Sequence, residues 1–155
     1  MASVPIEIQN NAIYVRAAVN DKDVVFVIDT GDAVGPVFNA EDATAFDLPN
    51  LGPIGVSGAG GSVALYATQA TIGLGGITFT DEQGAVDTHL EGPSLLGLPF
   101  FIKQGGILAF DFEHLTVSFG TQHHAKTHRR LDELLEEWLH SDTAKTSDTT
   151  PESGL

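Results

Sequence analysis

The stretch Val24-Val25-Phe26-Val27-Ile28-Asp29-Thr30-Gly31 decides the fold of this chain. Its first five residues are β-branched or aromatic, and an unbroken apolar run predicts a strand that is buried on both faces. Asp29 then places a carboxylate in a tight turn, which the Thr30 hydroxyl holds and in which Gly31 permits a close backbone approach. Because an ionised carboxylate at the end of a buried strand is costly unless it is paired or used, Asp29 is a candidate functional residue.

Three further segments follow the Asp29 motif in a fixed order. A long hairpin is predicted over residues 53–75, with the glycine-rich tip Ser57-Gly58-Ala59-Gly60-Gly61-Ser62. The apolar segment Pro93-Ser94-Leu95-Leu96-Gly97-Leu98-Pro99-Phe100-Phe101 comes next, and Gly106-Ile107-Leu108-Ala109-Phe110-Asp111 predicts a strand near the end of the domain. Each segment alone is a weak signal, whereas their combination in this order is specific.

Together these segments resemble the retropepsin-like aspartic proteases, in their bacterial and archaeal single-domain form. In that family the Asp-Thr-Gly turn is backed by a later strand that ends in two apolar residues and a glycine, and a glycine-rich flap lies between them. The resemblance covers residues 4–119 and implies an all-β closed barrel with a flap hairpin. It assigns the catalytic turn to Asp29, Thr30 and Gly31, substrate binding to Ser57, Gly58, Ala59, Gly60 and Gly61, and structural support to Leu95, Leu96 and Gly97.

The chemistry that the resemblance implies is peptide-bond hydrolysis by two carboxylates that share one proton. One carboxylate acts as a base toward water, and the other, protonated, acts as an acid toward the carbonyl oxygen. This chain has one Asp-Thr-Gly, so the mechanism requires a homodimer that places Asp29 against Asp29 of the partner subunit. An extended peptide or protein is the expected substrate, and neither a cofactor nor a metal is expected.

Asp32 is a departure from the family pattern. The family usually follows Asp-Thr-Gly with Ala or Ser and then Ser or Thr, whereas this chain has Asp32 and Ala33. Three consequences are open: Asp32 faces outward without effect, or it pairs across the dimer with a base such as Arg16 or Lys103, or it acts on the catalytic pair. In the last case its charge raises the pKa of that pair or weakens dimerisation by repulsion.

The composition excludes several classes of function. The 155 residues carry a net charge of −14, which opposes binding to nucleic acids and anionic membranes. This acidity indicates solubility, and attraction of basic substrates is the alternative. The absence of cysteine excludes disulfides, thiol catalysis and thiolate metal sites. No apolar run has the length of a membrane helix and no signal peptide is visible, so a cytoplasmic location is favoured.

The predicted domain boundaries are 1–120 for the protease-like domain, 121–140 for an amphipathic helix and 141–155 for a disordered tail. The helix prediction rests on one apolar face, which consists of Leu131, Leu134, Leu135, Trp138 and Leu139. It is expected to pack on its own barrel or on a partner subunit. His123, His124 and His128 are expected to be solvated, and a transition-metal site is the alternative. Residues 38–48 fit a short helix or an irregular loop, and residues 77–80 and 84–87 predict two separate strands.

Two other functions remain open for the same fold. The first is a catalytically silent module that binds peptides or proteins but does not cleave them. The second is a structural dimerisation domain whose C-terminal helix recruits a partner. Cleavage that depends on Asp29 discriminates the protease from both alternatives.

Overall fold

The computed structural model describes residues 1–58, 61–120 and 133–140, and for residues 56–58 and 61–64 it describes the strand backbone alone. The chain divides into two compact units, Met1–Thr121 and Gln122–Leu155. The first unit contains the strands and two short helices. In the second unit the described part is the helix at residues 133–140.

Ten strands form one sheet in the first unit. Their bounds are β1 Ala2–Gln9, β2 Ala12–Val19, β3 Lys22–Asp29, β4 Pro36–Phe38, β5 Pro53–Gly58, β6 Gly61–Leu74, β7 Ile77–Val86, β8 Ser94–Gly97, β9 Ile107–Asp111 and β10 Thr116–Gly120. The order across the sheet is β5-β6-β7-β4-β8-β3-β2-β1-β10-β9, and β6 also pairs with β2. That additional pairing closes six strands, from β6 round to β2, into a barrel. The predicted all-β closed fold is confirmed.

Tight turns join the first three strands. Asn10 and Asn11 connect β1 to β2, and Asn20 and Asp21 connect β2 to β3. All four residues have positive φ, between 49° and 67°. Two consecutive residues with positive φ produce the hairpin turn whose twist matches the flanking strands, and Asn and Asp tolerate that conformation best among the residues with a side chain.

The central strand β3 is buried on one face only. Val24, Phe26 and Ile28 point into the core, whereas Val25 on the opposite face is 42% exposed. The expectation that both faces are buried is therefore wrong. Its physical reason is that the barrel core lies on one side of β3, so alternate side chains of the apolar run point outward.

Aromatic side chains fill much of the core. Phe100 lies 5.2 Å from Phe101 and 5.3 Å from Phe79, and Phe101 lies 5.8 Å from Phe119, measured between ring centroids. Phe100 and Phe101 belong to the helix α2, Leu98–Lys103, which the sequence analysis did not predict. Pro99 lies in its first turn, where the missing N–H costs nothing.

Two other local predictions can be compared with the structure. The helix α1, Ala40–Ala45, begins after Asn39, whose side chain accepts a hydrogen bond from the Asp42 N–H. The helical alternative for residues 38–48 is therefore correct. The prediction of two strands at 77–80 and 84–87 is wrong, because β7 continues from Ile77 to Val86. Continuous pairing with the long strand β6 holds the intervening polar residues in the sheet.

The second unit shows part of the predicted amphipathic helix. Residues 133–140 are helical, and the four described residues of the apolar face expose between 46% and 62% of their surface. Leu131, the three histidines at 123, 124 and 128, and the tail 141–155 lie outside the described residues. Within the described ranges, no helix combines the length and the apolar character needed to cross a membrane.

Candidate active site

Parallel pairing of β3 with β8 brings the two distant motifs together. Asp29 lies opposite Gly97 in the register, Ile28 lies opposite Leu96 and Val27 lies opposite Leu95. The sequence separation of these pairs is nearly seventy residues, so only the tertiary structure could bring them into register. The predicted supporting segment therefore lies directly beside the end of β3.

The Asp29 turn, residues 29–32, is closed by its own hydrogen bonds. The Gly31 N–H donates to Asp29 Oδ1 at 2.9 Å, and the Asp32 N–H donates to the Asp29 carbonyl oxygen at 3.1 Å. Asp29 is half-buried, while Thr30 and Gly31 are exposed. Among the described residues the Thr30 hydroxyl makes none of the hydrogen bonds that close the turn, so the expectation that it holds the turn is wrong. The turn thus presents a carboxylate whose orientation is fixed by a backbone donor and whose surface remains accessible to a reacting group.

The Asp32 carboxyl turns inward. Its Oδ1 accepts a hydrogen bond from the Val34 N–H at 2.8 Å, whereas its Oδ2 is buried and has no hydrogen-bond partner among the described residues. Burial raises the pKa of Asp32, and the negative charge of Asp29 raises it further, against the lowering effect of the Val34 and Gly35 N–H groups. Of the three alternatives for Asp32, the one in which its side chain faces outward is therefore wrong.

Gly97 is the residue that makes room for Asp32. A Cβ on Gly97 would lie 2.5 Å from Asp32 Oδ2 and 2.7 Å from the Asp32 carbonyl oxygen, closer than real Cβ atoms approach. The Gly97 N–H also donates to the Gly35 carbonyl oxygen at 2.9 Å. These contacts explain physically why the supporting segment ends in glycine at this position.

The two basic residues considered as partners for Asp32 have partners within their own chain. Lys103 Nζ lies 3.1 Å from Glu82 Oε2, and Arg16 Nη2 lies 3.9 Å from Glu7 Oε1. Sequence reasoning predicted neither pair. The Glu82 side chain is 7% exposed, and Gln104 Nε2 donates to its other oxygen at 3.3 Å. The pair fastens the end of α2 to β7.

Ser94 supports the start of β8 from within the core. Its hydroxyl accepts from the Asn39 N–H at 3.1 Å and donates to Asp42 Oδ2 at 2.5 Å. The residue is fully buried. Sequence reasoning missed this role, although a serine between apolar neighbours is itself a signal that a buried hydroxyl needs partners.

The predicted substrate-binding segment lies at the end of the β5–β6 hairpin. The strands pair from Pro53 opposite Tyr66 to Gly58 opposite Gly61. The backbone of Ser57, Gly58 and Gly61 is therefore placed at the far end of the hairpin. Ala59 and Gly60 lie outside the described residues, as do the side chains of this segment.

A cavity of about 340 Å³ lies between the segment that follows the Asp29 turn and the base of this hairpin. Apolar side chains contribute much of its wall. The lining residues are Val34, Leu51, Ile54, Ala67, Thr68, Gln83 and Gly84. The sequence analysis did not identify these residues, because they come from four separate parts of the chain. In the described part of the chain, no three side chains of His, Asp or Glu form a metal site.

The fold is similar to three solved retropepsin-like structures. A retropepsin-like aspartic protease from Rickettsia conorii is 18% identical, with a TM-score of 0.56 over 74% of this chain and 84% of its own. The protease of EIAV, solved with the inhibitor HBY-793, is 20% identical, with a TM-score of 0.52 over 67% and 98%. The retroviral protease-like domain of Ddi1 from Leishmania major is 18% identical, with a TM-score of 0.52 over 68% and 86%.

Comparison with protein-family models gives a match that includes the Asp29 turn, α2 and the strands between them. The matching model is described as "gag-polyprotein putative aspartyl protease" and covers residues 15–103. No curated protein matches the chain significantly. Because the family model covers more than half of the sequence, and the fold agrees with it, the chain belongs to the gag-polyprotein aspartyl protease family.

Proposed function

We propose that this protein is an aspartic endopeptidase that works as a homodimer. One observation carries the proposal: the Asp29 carboxylate is held by the Gly31 N–H at the end of β3, half-exposed and in register with Gly97. A fixed acid that remains accessible to a reacting group is what general acid–base catalysis needs. Membership of the aspartyl protease family supports the same assignment.

The proposed mechanism uses one Asp29 from each subunit. A two-fold axis between the subunits would bring the two carboxyls together, and two acids so close cannot both ionise. The ionised member takes a proton from a water molecule as that water attacks the scissile carbonyl carbon. The protonated member donates its proton to the carbonyl oxygen. As the tetrahedral intermediate collapses, the first carboxyl gives the proton that it took from water to the amide nitrogen, and the second takes a proton back from a hydroxyl of the intermediate. The C–N bond then breaks and releases an amine and a carboxylic acid.

The proposed substrate is an extended peptide. Main-chain hydrogen bonds would hold it beneath the β5–β6 hairpins, which we assign as the flaps, with Ser57, Gly58, Ala59, Gly60 and Gly61 at their tips. The cavity next to Val34 would receive one substrate side chain. Since Val34, Leu51 and Ile54 contribute to its wall, we expect an apolar side chain there.

Cleavage of a diverse peptide mixture between about pH 3 and pH 7 tests the proposal. The parent is expected to cleave, and Asp29→Asn is expected to fold but to lose cleavage at every pH. Asp21→Asn is the matched control, because it makes the same chemical change in an exposed hairpin turn with positive φ. Equal cleavage by the parent and Asp29→Asn would refute the proposal.

The alternative is a module that binds peptides without cleaving them. The position of Asp32 favours it, because each subunit places a second carboxyl beside the Asp29 turn, and an ionised Asp32 would disturb the sharing of one proton by the two Asp29 carboxyls. A dimer that binds peptides and leaves them intact at every pH would establish this alternative. Sedimentation of the same samples would report whether the dimer is present.

A further inference from the structure

The two oxygens of the Asp32 carboxyl lie in different environments. Oδ1 is satisfied by the Val34 N–H at 2.8 Å, whereas Oδ2 is buried and without a hydrogen-bond partner among the described residues. An ionised carboxylate spreads its charge over both oxygens, so the bare Oδ2 makes ionisation costly. A proton on Oδ2 removes the charge and leaves the bond to Oδ1 intact.

The position of this carboxyl is built into the fold. Asp32 Oδ2 and Cγ occupy the space that a Cβ of Gly97 would fill, at 2.5 Å and 2.6 Å from that Cβ position. Gly97 is also the residue in register with Asp29. The Asp32 carboxyl therefore packs against the same residue that flanks Asp29. Ionisation of Asp32 would change the contact between the Asp29 turn and β8.

No cation among the described residues offsets an ionised Asp32. β4 and β8 carry no titratable side chain, and α2 carries one, Lys103, which is engaged with Glu82. The charged group that acts on Asp32 is Asp29, and its effect is repulsive. Burial favours the neutral acid and is the largest effect, the Val34 and Gly35 N–H groups favour the anion, and the repulsion from Asp29 adds a smaller contribution toward the neutral acid. The balance raises the pKa of Asp32.

We propose that Asp32 is a positioning residue that acts as a neutral carboxylic acid. In this form it packs the Asp29 turn against Gly97, and the turn is therefore ordered at acidic pH only. When Asp32 ionises, the anion has to move toward water, and the turn that carries Asp29 moves with it. The catalytic consequence rests on the proposed function, whereas the effect on the turn does not.

The direction of the pH effect follows from proton linkage. Asp32 has a pKa above the ordinary 3.8 in the folded state and returns to that value on unfolding. Its contribution to stability is therefore complete below pH 3.8 and is lost as the pH rises through the higher folded-state pKa. The parent is expected to lose stability over this interval more steeply than a variant that cannot ionise at residue 32.

The decisive variant is Asp32→Asn, which keeps an oxygen acceptor for the Val34 N–H but carries no charge at any pH. Its free energy of unfolding should fall less steeply than that of the parent as the pH rises above about 4. Its cleavage activity should extend to higher pH, so the alkaline limb of its pH–activity profile should lie at higher pH than that of the parent. Asp32→Ala removes the acceptor as well, so it should show the same flatter pH dependence with lower activity throughout.

A titration of the parent keeps the proposal testable if the Asn variant does not fold. The Asp32 carboxyl carbon, followed by NMR, should titrate above the ordinary range of an aspartate. Titration at the ordinary value would overturn the proposal. Identical pH profiles of stability for a folded Asp32→Asn and the parent would overturn it as well.

These measurements separate the two proposals. If neither the parent nor any variant cleaves peptides, but the free energy of unfolding of Asp32→Asn depends less on pH than that of the parent, the proposed function fails and the role of Asp32 stands. If Asp29-dependent cleavage is found and its alkaline limb does not move in Asp32→Asn, the enzyme assignment stands and Asp32 does not limit the pH range. A shifted limb with a shifted stability profile supports both proposals.

Discussion

Gly97→Ala is the substitution whose effect the structure predicts most directly. The added Cβ would lie 2.5 Å from Asp32 Oδ2 and 2.7 Å from the Asp32 carbonyl oxygen. A side-chain oxygen can rotate away, but the carbonyl oxygen belongs to the backbone of the Asp29 turn. Relief of the contact therefore requires β8 and the turn to separate.

The size of the effect follows from two opposing contributions. Overpacking of this kind costs about 3 kcal/mol, the upper end of the usual range, because a backbone atom has to move. Replacement of glycine by alanine also lowers the conformational entropy of the unfolded chain, which offsets roughly 0.7 kcal/mol of this cost. The net loss is about 2 kcal/mol, which corresponds to a fall in melting temperature of roughly 8 °C for a domain of this size.

Thermal unfolding of the parent, Gly97→Ala and Gly55→Ala measures this loss. Gly55 is the matched control, because it also lies in a strand and a Cβ there would meet nothing within 4 Å. Its melting temperature should be unchanged or slightly higher. If the proposed function is right, displacement of Asp29 by about 1 Å should lower kcat/KM of Gly97→Ala by about 100-fold. A Gly97→Ala protein as stable as the Gly55→Ala control would refute the reasoning.

Three further substitutions test the supports and the cavity. Ser94→Ala should lower the free energy of unfolding by about 1–3 kcal/mol, because it leaves the half-buried Asn39 N–H and an Asp42 carboxylate oxygen without their partner. Denaturant unfolding measures this loss, and an unchanged midpoint would contradict it. Lys103→Met should lower the free energy of unfolding by about 1–2 kcal/mol, because it leaves the Glu82 carboxylate without its cation; the loss is limited because the lysine is 59% exposed. Adding Glu82→Gln should restore most of this loss, which a double-mutant cycle would show. Val34→Asp should shift the preferred substrate side chain from apolar to basic, which mapping of cut sites would show.

The sequence predicted the local features because they depend on neighbouring residues. The unbroken apolar run of residues 24–28 identified β3, and the Asp29 motif identified the turn that follows it. Tertiary packing overrode the local pattern at Val25, which belongs to an unbroken apolar run and yet faces outward. It also produced α2, since two adjacent aromatic residues fit a strand as well as a short helix until the core is assembled.

The sequence by itself determined which carboxylate lies at the end of a strand and which later segment ends in glycine. Only the tertiary structure decided that β3 and β8 pair in parallel, because this register joins Asp29 to Gly97 across nearly seventy residues. It alone decided that the Asp32 carboxyl turns inward, since the available space depends on the missing side chain of Gly97. A turn is determined by residues that are neighbours in the chain, whereas the burial of a carboxyl, and hence its pKa, depends on the residues that the fold packs against it.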